Sequence, residues 1–257
     1  MGSDTVSDLS ESIRRFSQQL SLNELDALKY RLSLASIKEI EKDFEISQNL
    51  DKRQCFFDFL QHLLDIQPFS DRVPMYGIAY RGRPDFMTDK LVEDLRTEAS
   101  RFRPYAKLNF EQFIATIDTP DDSTVCERLA SSKDLYDLVT QHAGSCLRSY
   151  ITSYIYYEVV GQCSKPHVDN AFTSITVMVG LRKDHEGLSS PSSSIIYWPG
   201  RSPMEYRLEP GELVIFFGIC VLHGRYPISS GETIHSLLLS FRPEMVKRGD
   251  WNAVSSA

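Results

Sequence analysis

The chain has 257 residues, and its 28 Lys+Arg against 35 Asp+Glu give a formal charge of −7 with the histidines neutral. Apolar residues make up 42% and charged residues 25%, with 13 Gly and 12 Pro, which excludes a disordered, collagen-like or coiled-coil chain and allows a sizeable core. The acidic balance without a basic stripe argues against nucleic acid as a partner. The lack of any run near the roughly 20 apolar residues of a membrane span argues against a membrane.

Residues 1–74 read as an N-terminal helical segment. Ser21 or Asn23 caps a run with Leu25 and Leu28 at helical spacing, and Ile37, Ile40, Phe44 and Ile46 continue the rhythm. Phe56, Phe57, Phe59, Leu60, Leu63 and Leu64 make a strongly apolar last helix, which Pro68 and Pro74 break. The segment is either a small bundle or a set of helices packed on the domain that follows, a scaffold in both cases. Residues 1–15 have no apolar centre for a secretory signal, so a cytoplasmic location is expected.

Residues 75–257 read as the second unit. Arg81-Gly82-Arg83-Pro84 resembles the core of a minor-groove hook, but Tyr80 and Asp85 flank it instead of basic residues, and it reads as a loop. Residues 87–102 and 134–147 have helical periodicity, the latter through Leu135, Leu138, Val139 and His142, and Pro120-Asp121-Asp122 is a turn. From residue 150 the character changes. Residues 150–160, 174–181, 193–198, 205–208, 212–223 and 233–241 are short β-rich runs separated by Gly, Pro and Ser. Such runs without intervening helices predict an antiparallel sandwich or barrel, and so an α+β chain. The loop around 189–194 is expected at the surface. Cys55, Cys126, Cys146, Cys163 and Cys220 are scattered without a C-x-x-C pair, which disfavours a disulfide framework or zinc knuckle.

Of six histidines, one stands in Lys165-Pro166-His167-Val168-Asp169-Asn170. On an extended chain, side chains at i and i+2 share a face, so His167 and Asp169 reach the same point. A second inward His completes a two-His-one-carboxylate face, which leaves positions open and suits non-haem Fe(II). His223 is the natural candidate, because it follows the Pro210-Gly211 turn and the apolar run 213–217 and precedes Gly224. His62 and His142 read as helix residues and His185 as a loop residue. Tyr197 and Trp198 are either core aromatics or the lining of a substrate mouth.

With Tyr157 and Gly161-Gln162 just before His167, Pro210-Gly211-Glu212 and its apolar run before His223-Gly224, and Leu237-Leu238-Leu239 after, residues 134–243 resemble the Fe(II)- and 2-oxoglutarate-dependent dioxygenase superfamily, prolyl-hydroxylase-like branch. The resemblance implies a double-stranded β-helix (jelly-roll) core with flanking helices. It also implies Fe(II) held by His167, Asp169 and His223, with 2-oxoglutarate as cosubstrate and O₂. Tyr157 matches a tyrosine that hydrogen-bonds the cosubstrate. The expected reaction is hydroxylation, or another oxidation, of a C–H bond in a small molecule or an amino-acid or peptide substrate.

One family feature is displaced. The base that usually anchors the distal carboxylate of 2-oxoglutarate is absent from residues 231–236. Arg242 is the first substitute, then Arg225, which stands two after His223, then Arg182. Two other readings stay open: an iron oxidase of the same fold that does not use 2-oxoglutarate, and a non-catalytic jelly-roll binding module with a helical interaction domain.

Overall fold

The computed structural model describes residues 50–65, 67, 69–109, 112–116, 124–185, 188 and 191–244. The expected helices and cap within residues 5–49 and the turn at 120–122 lie outside the described residues. In chain order the elements are α1 (Leu50–Asp65), β1 (Ile78–Gly82), α2 (Asp89–Phe102), β2 (Lys107–Asn109), β3 (Phe113–Ala115), α3 (Val125–Ala130), α4 (Lys133–Ala143), β4 (Cys146–Tyr157), β5 (Ser164–His167), β6 (Ile175–His185), β7 (Ser194–Ile196), β8 (Met204–Tyr206), β9 (Leu213–Phe216), β10 (His223–Arg225) and β11 (Glu232–Pro243). Among the described residues no helix is long and apolar enough to cross a membrane.

Two antiparallel sheets form the core. The larger runs β1-β9-β6-β11-β4-β3-β2 and the smaller β5-β10-β7-β8, a jelly-roll arrangement on an α+β chain. The central strands β9, β6 and β11 of the large sheet are buried on both faces over most of their length, which is why their sequences read as near-continuous apolar runs. The outer face meets the helices. Tyr154 and Tyr156 of β4 turn that way, and their hydroxyls donate to Glu98 Oε1 and to the Ala99 carbonyl, both at 2.7 Å. The intervening Ile155 and Tyr157 turn into the barrel, where they pack with Ile228, Ile234 and Leu238.

The helices begin where side-chain oxygens satisfy free N–H groups. Thr88 accepts from Leu91 N at 3.2 Å, Thr124 from Glu127 N and Ser132 from Leu135 N, both at 3.3 Å. Leu135, Val139 and Ala143 recur every four residues on the buried face of α4. Gly144, at φ +81, then ends it in a conformation that favours glycine.

Four local expectations change. Arg81 and Gly82 end β1, which pairs with β9 and so belongs to the large sheet. The run 212–223 is two strands, β9 and β10, in different sheets, because the chain crosses from one to the other between Phe217 and Leu222. His185 closes β6 opposite Glu232 of β11. Val159 and Val160 lie past the end of β4 as exposed turn residues. In the N-terminal segment, the described helix α1 packs its apolar face on the small sheet.

Candidate active site

The register of the small sheet creates the site. His223 of β10 lies directly opposite His167 of β5 on one side and Ile196 of β7 on the other, so both imidazoles turn to the same, inward face. Their ring centroids are 4.4 Å apart. The pairing shifts by one residue before Arg225 meets Ser164, which makes a bulge at Lys165-Pro166. A proline is accommodated there because β5 is an edge strand and Pro166 has no N–H to lose.

Asp169 follows two residues after His167, and its backbone N–H donates to the Gly218 carbonyl at 3.0 Å. Its Oδ1 stands 3.8 Å from the Nε2 of both His167 and His223, while Oδ2 accepts from Thr176 Oγ1 at 2.6 Å. Each histidine pairs its other nitrogen with a backbone carbonyl: His167 Nδ1 with Lys165 O at 2.8 Å and His223 Nδ1 with Val221 O at 3.0 Å. The Nδ1–H tautomer satisfies those carbonyls and leaves both Nε2 lone pairs directed at one point, as oriented metal-ligating histidines do. Burial pushes the His223 imidazole down to about 4, and His167 beside it acts the same way; Asp169 and the Val221 carbonyl offset this only in part. A neutral imidazole is the form that ligates.

The donor set therefore fits iron. Three ligand atoms lie within 4.8 Å of one another, the only such group of His, Cys, Asp or Glu among the described residues, and two imidazoles with one carboxylate are the ligands a non-haem Fe(II) takes. Glycine at 218 is part of the fit. A Cβ there would overlap the Asp169 carboxylate, coming within 2.7 Å of its Cγ.

A second inward row adjoins the first. Arg225 lies opposite Ser164 of β5 and Ser194 of β7, and Ser194 lies opposite Tyr206 of β8. Arg225 Nη2 donates to Ser194 Oγ at 2.9 Å, and its Cζ lies 5.3 Å from the centroid of the Tyr157 ring. Burial pushes the Tyr157 hydroxyl up to about 12 and Arg225 pulls the other way. Burial raises Tyr206 as well, against the opposing effect of Arg225. Among the described residues Arg225 has no carboxylate partner. A guanidinium flanked by hydroxyls with no acid beside it is a carboxylate-binding arrangement.

The other two arginines are not brought to this row. Arg242 is exposed near the end of β11, opposite Leu147. Arg182 is exposed on β6 and is held by Asp184, Nε to Oδ2 at 2.6 Å. The start of β11 carries an acid instead of a base: Glu232 is buried and accepts from the backbone N–H groups of Ser192 at 2.6 Å and Ser229 at 3.0 Å. Tyr197 is buried against α1 on the outside of the small sheet, and Trp198 packs near Tyr76 at the edge of the main core. Thr176, Ser194 and Tyr206 were invisible in the sequence because each reaches the site through strand pairing, and Gly218 because it reaches Asp169 from the turn that follows β9.

No protein-family model matches the sequence, and no curated protein matches it. Among solved structures the chain is similar to SnoN, a non-heme alpha ketoglutarate dependent epimerase from nogalamycin biosynthesis, at 17% identity and TM-score 0.57, over 72% of this chain and 82% of that one. It is similar to a Pseudomonas putida prolyl-4-hydroxylase at 17% identity and TM-score 0.52, over 72% of this chain and all of that one, 100%. It is also similar to HygX from Streptomyces hygroscopicus, solved with nickel and 2-oxoglutarate bound, at 15% identity and TM-score 0.50, over 66% and 83% of the two chains. The chain shares its fold with these structures and has the jelly-roll core that its sequence resemblance implies.

Proposed function

We propose that the protein is an Fe(II)- and 2-oxoglutarate-dependent oxygenase acting on a C–H bond of a small molecule or of an amino-acid or peptide substrate. The observation that carries this reading is the pair of adjoining inward rows on the small sheet. One holds His167 and His223 with Asp169 against them, and the next holds Arg225 between Ser164 and Ser194. His167, Asp169 and His223 hold the metal. Iron, with 2-oxoglutarate and O₂, supplies the oxidant for the C–H bond.

The remaining roles belong to the chain. Arg225 receives the distal carboxylate of 2-oxoglutarate, with the hydroxyls of Tyr157 and Tyr206 beside it, because a buried carboxylate without a cation is too costly. Thr176 holds the far oxygen of Asp169, so that Oδ1 stays on the histidines. The apolar wall of Ile155, Ile234 and Leu238 keeps water out. Neighbours whose names include an epimerase from nogalamycin biosynthesis and a prolyl-4-hydroxylase support both substrate classes.

The test is succinate formation from 2-oxoglutarate with Fe(II) and O₂. Arg225→Ala should raise the apparent KM for 2-oxoglutarate more than tenfold, since losing one partner of a buried charged pair costs about 3–5 kcal/mol. Arg242→Ala and Arg182→Ala should leave it unchanged. A rise with Arg242→Ala alone would move the anchor to that residue. No turnover of 2-oxoglutarate by the unaltered protein would remove this cosubstrate from the account.

A further inference from the structure

The residues next to the ligands in sequence point away from the barrel. Val168 lies between His167 and Asp169, Leu222 precedes His223, and Ile195 and Tyr197 flank Ile196, the partner of His223. Successive side chains on an extended strand face opposite sides, so with the ligands turned inward these turn out. There they meet α1. Leu60 and Leu63 of the helix form one buried apolar cluster with Ile195, Tyr197 and Leu222, and Val168 packs against it. Leu63 and Leu222 are each 1% exposed, and Phe56 meets the Tyr197 ring edge-on with centroids 5.8 Å apart. Tyr197 N in turn donates to Leu222 O at 2.9 Å.

The strands that carry the histidines are the short ones. β5 has four residues and β10 three, and β5 is a bulged edge strand, so few ladder hydrogen bonds restrain either. The packing of their outer faces is a further restraint. We propose that α1 positions the metal ligands from behind. By burying Leu222 and packing on half-buried Val168, the helix fixes the backbone on each side of His167, Asp169 and His223, and the affinity of the site for metal depends on it. Residues that orient ligands in this way typically change metal affinity about 10–100-fold when altered. This inference rests on the reading of the triad as an iron site.

The experiment measures the Kd of the full chain for Co(II), by its visible absorption, and for Fe(II) under anaerobic conditions, at a temperature where every variant is folded. Leu63→Ala and the milder Phe56→Leu loosen α1. Leu135→Ala, fully buried at 0% exposure in α4 on the far side of the large sheet, is the control for lost stability, and His223→Ala sets the level without the site. The Kd should rise at least tenfold in Leu63→Ala and measurably in Phe56→Leu. It should stay within twofold of the parent in Leu135→Ala, even where that change lowers Tm as far. An unchanged Kd in both α1 variants, or an equal rise in the control, would overturn the positioning role while leaving the triad intact. A parent protein that binds no better than His223→Ala would overturn the metal reading, and this inference with it.

Discussion

Gly218 and Thr176 determine where the Asp169 carboxylate points, one by leaving space and the other by a hydrogen bond to Oδ2. A methyl group at 218 would overlap the Asp169 side chain, whose Oδ2, Cγ and Cβ are the atoms nearest to it, and so displace the carboxylate. Gly218→Ala should therefore reduce metal affinity to the level of Asp169→Ala while Tm changes little; a variant that binds metal normally would show that the carboxylate has room to yield. Another buried carboxylate is purely structural. Glu98, 4% exposed, accepts from the N–H groups of Val125 and Cys126 at 2.6 and 2.9 Å and from the Tyr154 hydroxyl. Burial pushes its carboxyl up, but these donors outweigh it and hold it below the ordinary carboxylate range. A depressed carboxyl contributes stability that is present above its unfolded-state pKa and lost as the pH falls through the folded-state value. Glu98→Gln should cost about 2 kcal/mol at neutral pH, and the gap to the parent in urea unfolding should close in acid. A gap independent of pH would mean that the charge does not matter. At this scale the sequence was informative for His167 and Asp169, whose i, i+2 spacing is local. For Arg242 strand alternation gives only a face, and the structure places that residue exposed near the end of β11.

At the scale of elements, periodicity located α2, the start of α4 and the long strands β6 and β11, since burial on a single helix face or on both faces of a sheet leaves a clear pattern, but it carried α4 on to residue 147, where β4 has already begun at Cys146. It missed β1, β2 and β3. β2 and β3 have three residues each, too few to show a period of two, and β1 reads as a turn because Gly82 and Pro84 end it. The single apolar run 212–223 hid a crossover between sheets, as no residue in it interrupts the pattern except Gly218. α1 also carries a local cost. Among the described residues His62 Nε2, a buried atom, has no hydrogen-bond partner, and an unsatisfied buried polar atom costs about 1–3 kcal/mol. His62→Leu should therefore raise Tm with metal affinity unchanged, as differential scanning calorimetry would show. A lower Tm would mean that the imidazole has a partner in solution, such as water.

For the whole molecule, layering separates stability from chemistry. The helices cover the outer face of the large sheet, α1 covers the outer face of the small one, and the barrel between them keeps its polar groups in two rows. The histidine row is the more open, with the His167 side chain 39% exposed, whereas Tyr157 and Tyr206 of the next row are buried at 5% and 7%. Under the proposed function, a substrate entering at the histidines would meet the metal site before the Arg225 row, which suits a cosubstrate bound deeper than the substrate. The measurement that tests this arrangement most directly is anaerobic calorimetric titration, first with Fe(II) and then with 2-oxoglutarate. The parent protein should bind one Fe(II) and then one 2-oxoglutarate. His223→Ala should bind neither at stoichiometric levels, and Arg225→Ala should bind Fe(II) normally with 2-oxoglutarate weakened more than tenfold. Fe(II) binding that survives the joint replacement of His167, Asp169 and His223 by alanine would contradict the account.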